Sequence, residues 1–391
     1  MSLIEVSDLH VWFDLPHGGE VHAVAGVSFA LAEGERFGLV GESGCGKTTT
    51  VLALMGLLPP NASVAGEVRI DGRNILAGGE DSVRPHRWKD IAMVFQGAMN
   101  ALNPVKKIGW QIAEPMAFHG IARGAAARRR AGELLEMVGI PAAAAERYPH
   151  EFSGGMRQRA SIAMALACQP RILLADEPTT ALDVMVQAQI LELLTGLSRE
   201  LGLTLVLVTH DLPVVAQVCD RAAVMYAGEI VETGPMEALF HTPRHPYTRL
   251  LFAATPDLYG DEPVVSIPGA PPRLDQAITG CPFRPRCDSA FGRCETEHPV
   301  LGHVAAAQEA AGYQAVGYHE AAREAAGHPA ADQEVSGLGA AGREAASHEA
   351  SHEASHEAAC HLGDLPAQER ARLEGARPLS PATGATPEPA S

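Results

Sequence analysis

One eight-residue loop constrains this chain more than any other stretch. Its residues are Gly41, Glu42, Ser43, Gly44, Cys45, Gly46, Lys47 and Thr48. A short apolar run typical of a buried strand precedes the loop, and a helical pattern follows it from Thr49. Strand, glycine-rich loop and helix in this order predict a phosphate-binding loop (P-loop), because backbone amides and a helix N-terminus converge on an anion. We predict that Lys47 contacts the β- and γ-phosphates of a nucleotide and that the Thr48 hydroxyl ligates Mg²⁺.

The charge and the apolar runs exclude some classes of protein. The 391 residues carry a net charge of −17, which argues weakly against a nucleic-acid partner. No apolar run approaches the ~20 residues of a membrane span. The N-terminal residues alternate between apolar and polar, as in a strand, and do not form the apolar core of a secretory signal. We therefore expect a cytoplasmic chain, unless a partner holds it at a membrane.

Three further strands are predicted to end in polar residues. The apolar run 91–95 ends at Gln96, the run 172–175 ends at the pair Asp176 and Glu177, and the run 203–208 leads to His210. Ligands bind at the carboxyl ends of parallel strands, so these side chains should meet near the P-loop. Asp176 is predicted to join Thr48 in the Mg²⁺ shell, and Gln96 to reach either this metal ion or the attacking water. Glu177 is the candidate that polarises the attacking water, and His210 the candidate that contacts the γ-phosphate.

A serine and two glycines at a helix start form a second potential anion site. The segment contains Ser153, Gly154, Gly155, Met156, Arg157 and Gln158. Such a segment is common in loops and predicts little by itself. Two aromatic residues before the P-loop, Trp12 and Phe13, are candidates for stacking on an adenine ring, with core packing an equal alternative.

Taken in order, these motifs resemble the full set of the ABC-type ATPases over about residues 1–255. The resemblance implies a P-loop α/β nucleotide-binding domain with a helical subdomain near 97–165, and a head-to-tail dimer with ATP and Mg²⁺ between subunits. In that dimer the Ser153–Gln158 segment would be the signature that binds the nucleotide of the other subunit. Asp183 would belong to the D-loop at the dimer interface, and Phe13 matches the adenine-stacking position best.

Residues 241–302 resemble the C-terminal region of the oligopeptide, dipeptide and nickel importers among the ABC transporters. The resemblance implies an ATPase that powers import of a small solute, with di- or oligopeptides favoured and nickel or another solute as the alternative. Its partners would be two transmembrane permeases, a second ATPase subunit (a paralogue, or an identical copy) and, indirectly, a solute-binding protein. The chain would then lie peripherally on the cytoplasmic face of the inner membrane.

The resemblance divides the chain beyond residue 255 into three parts. Residues 256–302 with 360–365 are predicted to form a C-terminal extension, 303–359 a low-complexity insertion, and 366–391 a disordered tail. The insertion repeats Ser-His-Glu-Ala three times from Ser347, which would align His348, His352 and His356 along a helix. A metal-binding stripe is one interpretation; an insertion without a packed core is the favoured one.

Four cysteines in the extension form a candidate metal site. Cys281, Cys287 and Cys294 are close in sequence, and the resemblance implies a fourth ligand at Cys360. Four thiolates suit a [4Fe–4S] cluster or structural Zn²⁺, and the wide spacings favour iron–sulfur over zinc or free thiols.

Two other classes of ABC ATPase compete with the importer hypothesis. ATPases that act on ribosomes or DNA usually carry two cassettes or long coiled coils, whereas this chain has one P-loop and no heptad repeats. Exporters often fuse the cassette to membrane spans, and no such span is predicted here.

Overall fold

The computed structural model describes residues 2–97, 101–254, 266–303 and 356–365. The strands are β1 (Ser2–Asp14), β2 (Glu20–Ala32), β3 (Arg36–Val40), β4 (Ala62–Ile70), β5 (Arg73–Asn74), β6 (Ile91–Val94), β7 (Ile172–Asp176), β8 (Thr204–Thr209), β9 (Arg221–Tyr226), β10 (Glu229–Pro235), β11 (Gly302–His303) and β12 (Glu357–Ala358). The α-helices are α1 (Lys47–Leu54), α2 (Glu80–Val83), α3 (Ile108–Phe118), α4 (Gly124–Met137), α5 (Gly154–Ala165), α6 (Val184–Leu201), α7 (Leu212–Val218), α8 (Met236–His241), α9 (Pro246–Ala253) and α10 (Arg293–Thr296). Short 3₁₀ turns span Ala142–Glu146, Pro149–Glu151, Arg284–Arg286 and His361–Asp364.

The larger sheet places the P-loop at the end of a central strand. Its strand order is β11-β12-β10-β9-β3-β8-β7-β6. The five strands from β9 to β6 are parallel, and every residue of β6, β7 and β8 is buried. Burial on both faces explains why these strands read as continuous apolar runs. The predicted α/β class is confirmed, and β3, which leads into the P-loop, lies between β8 and β9.

The smaller sheet is antiparallel, with the strand order β2-β1-β4-β5. One core cluster joins it to the parallel sheet through α1. This cluster includes Ile4 of β1, Val51 of α1 and Phe37 of β3, all fully buried. Helix α1 is therefore held between the two sheets, which fixes the position of the P-loop that precedes it.

Helices α3, α4 and α5 pack on the other side of the parallel sheet. Ile112, Leu134 and Ile162 belong to a second core cluster that also contains Leu205 of β8. The buried face of α3 consists of apolar residues at helical spacing, among them Ile108, Ile112 and Met116. These helices fall within the predicted helical subdomain, whose bounds stay a prediction.

Two short strands continue the edge of the larger sheet, and one of them, β12, lies within the predicted insertion 303–359. Strand β12 pairs with β10, and β11 pairs with β12, both antiparallel. The last Ser-His-Glu-Ala repeat therefore enters a strand at residues 357–358 and not a helix, so the helical histidine stripe does not extend to His356. His348 and His352 lie outside the described residues, as does the predicted tail 366–391.

Candidate nucleotide-binding site

The P-loop folds closely against strand β9. Gly41 has φ +150°, and a Cβ atom there would lie 2.2 Å from the carbonyl oxygen of Met225. Gly46 has φ +106° and immediately precedes α1. Only glycine fits both the conformation and the space at these two positions. The P-loop is thus shaped by backbone contacts that any side chain would disrupt.

The Lys47 side chain lies inside the loop. Its Nζ donates hydrogen bonds to the carbonyl oxygens of Gly41 (2.7 Å) and Glu42 (2.9 Å) and lies 3.6 Å from Sγ of Cys45. The residue is only 5% exposed. The two carbonyls use two of the three N–H donors of the ammonium group, which leaves one for the predicted phosphate contact.

Two oxygen ligands suited to Mg²⁺ meet beside the P-loop. The Thr48 hydroxyl donates to Oδ1 of Asp176 at 3.2 Å. Asp176 is 1% exposed, and burial raises the pKa of its carboxyl to about 6, with the nearby charge of Glu177 adding to the effect. A hydroxyl and a carboxylate are hard oxygen donors, so this pair fits a Mg²⁺ ion.

Three polar side chains surround the Glu177 carboxylate. Gln96 Nε2 donates to it at 2.7 Å, the Thr180 hydroxyl at 2.9 Å, and His210 Nδ1 lies 3.1 Å away. Burial by itself raises the pKa of Glu177, but the hydrogen bonds from His210 and Thr180 outweigh it and lower the pKa below its usual range. Glu177 also adopts φ +43°, which is unusual for a residue with a side chain. The predicted trio of Gln96, Glu177 and His210 therefore meets at one point.

The signature segment begins helix α5 and contacts α6. Ser153 is the N-cap of α5, and its Oγ accepts from the Met156 amide at 3.3 Å. Asp183 caps α6 in the same way, accepting from the Val186 amide at 2.9 Å. A Cβ on Gly155 would lie 2.7 Å from Cγ1 of Val186, so the two helix starts are in close contact. Each of these two side chains therefore caps the helix that begins directly after it.

The two candidate adenine-stacking residues lie in different surroundings. Trp12 stacks on His10 and His22, with ring centroids 5.2 and 4.8 Å away. The two imidazoles are joined by a 3.0 Å hydrogen bond, so both lie on the same face of the indole. Phe13 is half-buried against the core between the sheets. Both residues are therefore half-buried, and in Trp12 the two histidines cover one face of the ring.

The four cysteines of the extension line one small cavity. Burial is the main cause that raises the pKa of Cys287 and of Cys360 to about 12. Within the described parts of the chain, no group of three or more His, Cys, Asp or Glu side chains is placed to hold a metal ion. The thiols are neighbours, but they do not form a ligand set, so the predicted iron–sulfur or zinc site is not supported.

Two residues that contact the P-loop escaped the sequence analysis. Arg286 forms an ion pair with Glu42, and the Tyr247 hydroxyl accepts a hydrogen bond from the Glu42 amide. These partners are 244 and 205 positions apart in the chain. Arg286 is one arginine of the Cys281–Cys287 segment, and the sequence contains no signal that separates it from its neighbours.

Comparison with known protein families agrees with this geometry. The family model described as "ABC transporter" matches residues 24–180, and the model "Oligopeptide/dipeptide transporter, C-terminal region" matches residues 231–294. The chain is 49% identical over 309 residues to the oligopeptide transport ATP-binding protein OppD of Bacillus subtilis, covering 78% of this chain and 86% of that protein. The chain belongs to the ATP-binding proteins of the ABC transporters. Like other members, this ABC ATPase hydrolyses ATP, as the sequence predicted.

Other relatives of this ABC ATPase carry similar names. It is 47% identical to the dipeptide transport ATP-binding protein DppD of Bacillus subtilis, over 76% of this chain and 90% of that protein. It is 46% identical to OppD of Escherichia coli, over 76% of this chain and 89% of that protein.

A solved structure of the cassette MJ0796, a dimer in a post-hydrolysis state bound to ADP and Pi, matches the ABC ATPase with a TM-score of 0.54. The identity is 32%, over 60% of this chain and 98% of that chain. Among the described residues, no helix is long and apolar enough to cross a membrane.

Proposed function

We propose that this ABC ATPase powers the import of di- or oligopeptides through partner permeases. The match of residues 231–294 to the oligopeptide/dipeptide C-terminal region supports this cargo class. Three relatives named for oligopeptide or dipeptide transport, at 46–49% identity, support it further. Nickel or another small solute remains the second candidate cargo, because the ATPase subunit itself does not contact the solute.

The convergence of functional groups at one sheet edge carries the catalytic part of the proposal. Lys47 binds the nucleotide phosphates, Thr48 and Asp176 hold Mg²⁺, and Gln96 joins this site. Glu177 polarises the attacking water, and His210 contacts the γ-phosphate. The hydrogen bonds from Gln96 and His210 to Glu177 support these roles, because both orient the carboxylate and the one from His210 lowers its pKa.

The signature and D-loop residues act across a dimer in this proposal. The N-terminus of α5, with Ser153, Gly154 and Gly155, binds the γ-phosphate of a nucleotide held by the other ATPase subunit. Asp183 lies at the same interface, and Phe13 stacks on the adenine. Exposed Val184 and Met185, which follow Asp183, support an interface there. The second subunit is a paralogue or an identical copy, and permeases hold the pair at the inner membrane.

The assembly can be tested by affinity purification of the tagged full chain from gently solubilised membranes, with partners identified by mass spectrometry. Two multi-span permeases and a second ATPase are the expected partners. ATP hydrolysis by the purified assembly, reconstituted with its solute-binding protein, should rise when a mixture of di- and oligopeptides is added and not when Ni²⁺ is added. Stimulation by Ni²⁺ alone would refute the peptide cargo, and ribosomal partners without permeases would refute the importer.

For the four cysteines we propose a structural role that fixes the extension on the core. Cys281 and Cys287 pack against the core cluster that contains Tyr226 and Tyr247. Anaerobic purification followed by metal analysis tests this proposal. About four iron atoms per chain with visible absorption would establish the [4Fe–4S] cluster that the sequence favours, one zinc ion per chain would establish a structural zinc site, and neither metal would establish free thiols.

A further inference from the structure

The second residue of the P-loop, Glu42, is held by the C-terminal extension. Arg286 Nη1 lies 2.6 Å from Oε2 of Glu42 and Nη2 lies 2.9 Å from Oε1. This is a bidentate pair, in which the planar guanidinium fixes the direction of the carboxylate as well as its distance. The Arg286 side chain is only 3% exposed, so water screens the pair weakly.

Arg286 is itself fixed by three further groups. Its Nε donates to the carbonyl oxygen of Pro268 at 2.8 Å, and Nη1 donates to the Tyr226 hydroxyl at 3.3 Å. The guanidinium also lies over the rings of Tyr226 and Phe283, 5.7 and 5.9 Å from their centroids. Arg286 therefore has one well-defined position, which it can impose on Glu42.

The backbone of Glu42 has a second fixed contact. Its amide donates to the hydroxyl of Tyr247, a fully buried residue, at 2.8 Å. Tyr247 packs on Tyr226 and Phe283, with ring centroids 4.6 and 5.3 Å apart. The aromatic cluster of Tyr226, Tyr247 and Phe283 thus supports both groups that contact Glu42.

The extension also runs beside the rest of the loop. Pro271, Pro272 and Leu274 line a small cavity together with residues 42–45 of the P-loop. The carbonyl oxygen of Leu274 accepts from the amide of His22 at 3.2 Å, which attaches this segment to β2.

Glu42 connects these contacts to the lysine of the P-loop. The carbonyl oxygen of Glu42 accepts from Lys47 Nζ, while its amide and carboxylate are held by Tyr247 and Arg286. The extension therefore sets where the first turn of the P-loop lies relative to Lys47. A loop held in one conformation loses less entropy when its amides enclose a phosphate.

We propose that Arg286 is a positioning residue for ATP binding, through which the C-terminal extension sets the affinity of the P-loop for the nucleotide. The proposal rests on ATP binding at the P-loop. It predicts that loss of the Arg286–Glu42 pair weakens ATP binding and leaves the turnover rate of the bound nucleotide nearly unchanged.

The test measures the Kd of MANT-ATP for the full chain, with kcat and KM for ATP from the same preparations. Arg286→Gln should raise Kd and KM about tenfold, a common scale for coupling between two sites, with kcat changed less than about threefold. Arg286→Lys should recover only part of the affinity, because an ammonium group cannot make the bidentate contact. Glu42→Gln should weaken binding similarly, and the double variant should bind no more weakly than either single variant.

Arg249→Gln is the matched control. Arg249 belongs to α9, and its Nη2 pairs with Asp288 at 2.9 Å, so this change disturbs the extension away from Glu42. Equal losses in the Arg249 and Arg286 variants, or additive losses in the double variant, would overturn the positioning role. Failure of the unaltered chain to bind MANT-ATP would instead refute the proposed function. If Arg286→Gln does not fold, the Glu42→Gln and Arg286→Lys variants carry the test.

Discussion

The side-chain amide of Gln96 donates a 2.7 Å hydrogen bond to Oε2 of Glu177, from a residue 81 positions earlier in the chain. Gln96 follows β6 and Glu177 follows β7, and these two strands are parallel neighbours. The bond therefore joins the ends of adjacent strands. A conformational change at Gln96 would alter the orientation of the carboxylate that we propose as the catalytic base.

The Glu177→Gln variant should bind ATP but hydrolyse it very slowly. The amide keeps the shape of the side chain and removes its ability to polarise water, so ATP turnover should fall by about 10²–10⁴-fold. ATP hydrolysis by the assembled complex and MANT-ATP binding by the full chain check the two parts. Glu200→Gln, at an exposed position late in α6, is the control and should hydrolyse ATP normally. Unchanged turnover in Glu177→Gln would remove Glu177 from the proposed mechanism.

The Asp176→Asn variant should be more stable than the unaltered chain at neutral pH when nucleotide and Mg²⁺ are absent. The folded-state pKa of Asp176 is raised from 3.8 to about 6, so ionising this buried carboxyl opposes folding. This cost is absent below pH 3.8, grows as the pH rises towards 6 and is complete above it. Two pKa units correspond to about 3 kcal/mol.

Urea unfolding in EDTA measures this difference. We expect Asn to raise the free energy of unfolding by about 3 kcal/mol at pH 7.5 and by less than about 1 kcal/mol at pH 4. A gain of equal size at both pH values would show that ionisation is not its cause. Added Mg²⁺ and ATP should stabilise the unaltered chain more than the variant, which lacks one of the two proposed Mg²⁺ ligands.

Gly155→Ala should destabilise the contact between α5 and α6. The new Cβ would lie 2.7 Å from Cγ1 of Val186, and overpacking of this kind costs about 1–3 kcal/mol. Gly196→Ala in α6 is the matched control, because no atom lies within 4 Å of a Cβ there. The control should gain up to about 1 kcal/mol from the higher helix propensity of alanine. Chemical denaturation of both variants measures the contrast, and equal effects would contradict the close packing at Gly155.

His356→Ala should weaken the attachment of β12 to β10. Glu232 is fully buried, and its carboxylate accepts from the amides of Arg244 (2.7 Å) and His245 (2.9 Å) and from His356 Nε2 (2.6 Å). Loss of one partner from a buried carboxylate costs about 1–3 kcal/mol. Urea unfolding should show this loss in His356→Ala and no loss in His17→Ala, at an exposed turn. Equal stability of the two variants would mean that the strand pairing, and not His356, holds β12 in place.

Much of the site was predictable because its residues act through local signals. The P-loop depends on glycine at positions such as Gly41, and the signature on a serine that caps its own helix. Gln96, Asp176 and His210 each follow an apolar run, and parallel strands bring their ends to one sheet edge. Because these strands are buried on both faces, each one is an unbroken apolar run, so its end can be located from the sequence.

The sequence by itself therefore determined the fold class, the ABC motifs and most of the candidate site. Only the tertiary structure decided that Arg286 and Tyr247 hold Glu42, that His356 binds Glu232, and that the four cysteines line a cavity without forming a metal ligand set. These contacts join residues as much as 244 positions apart. The local sequence around an arginine or a tyrosine does not show whether its side chain faces water or a P-loop carboxylate, because long-range packing and not local propensity selects its partner.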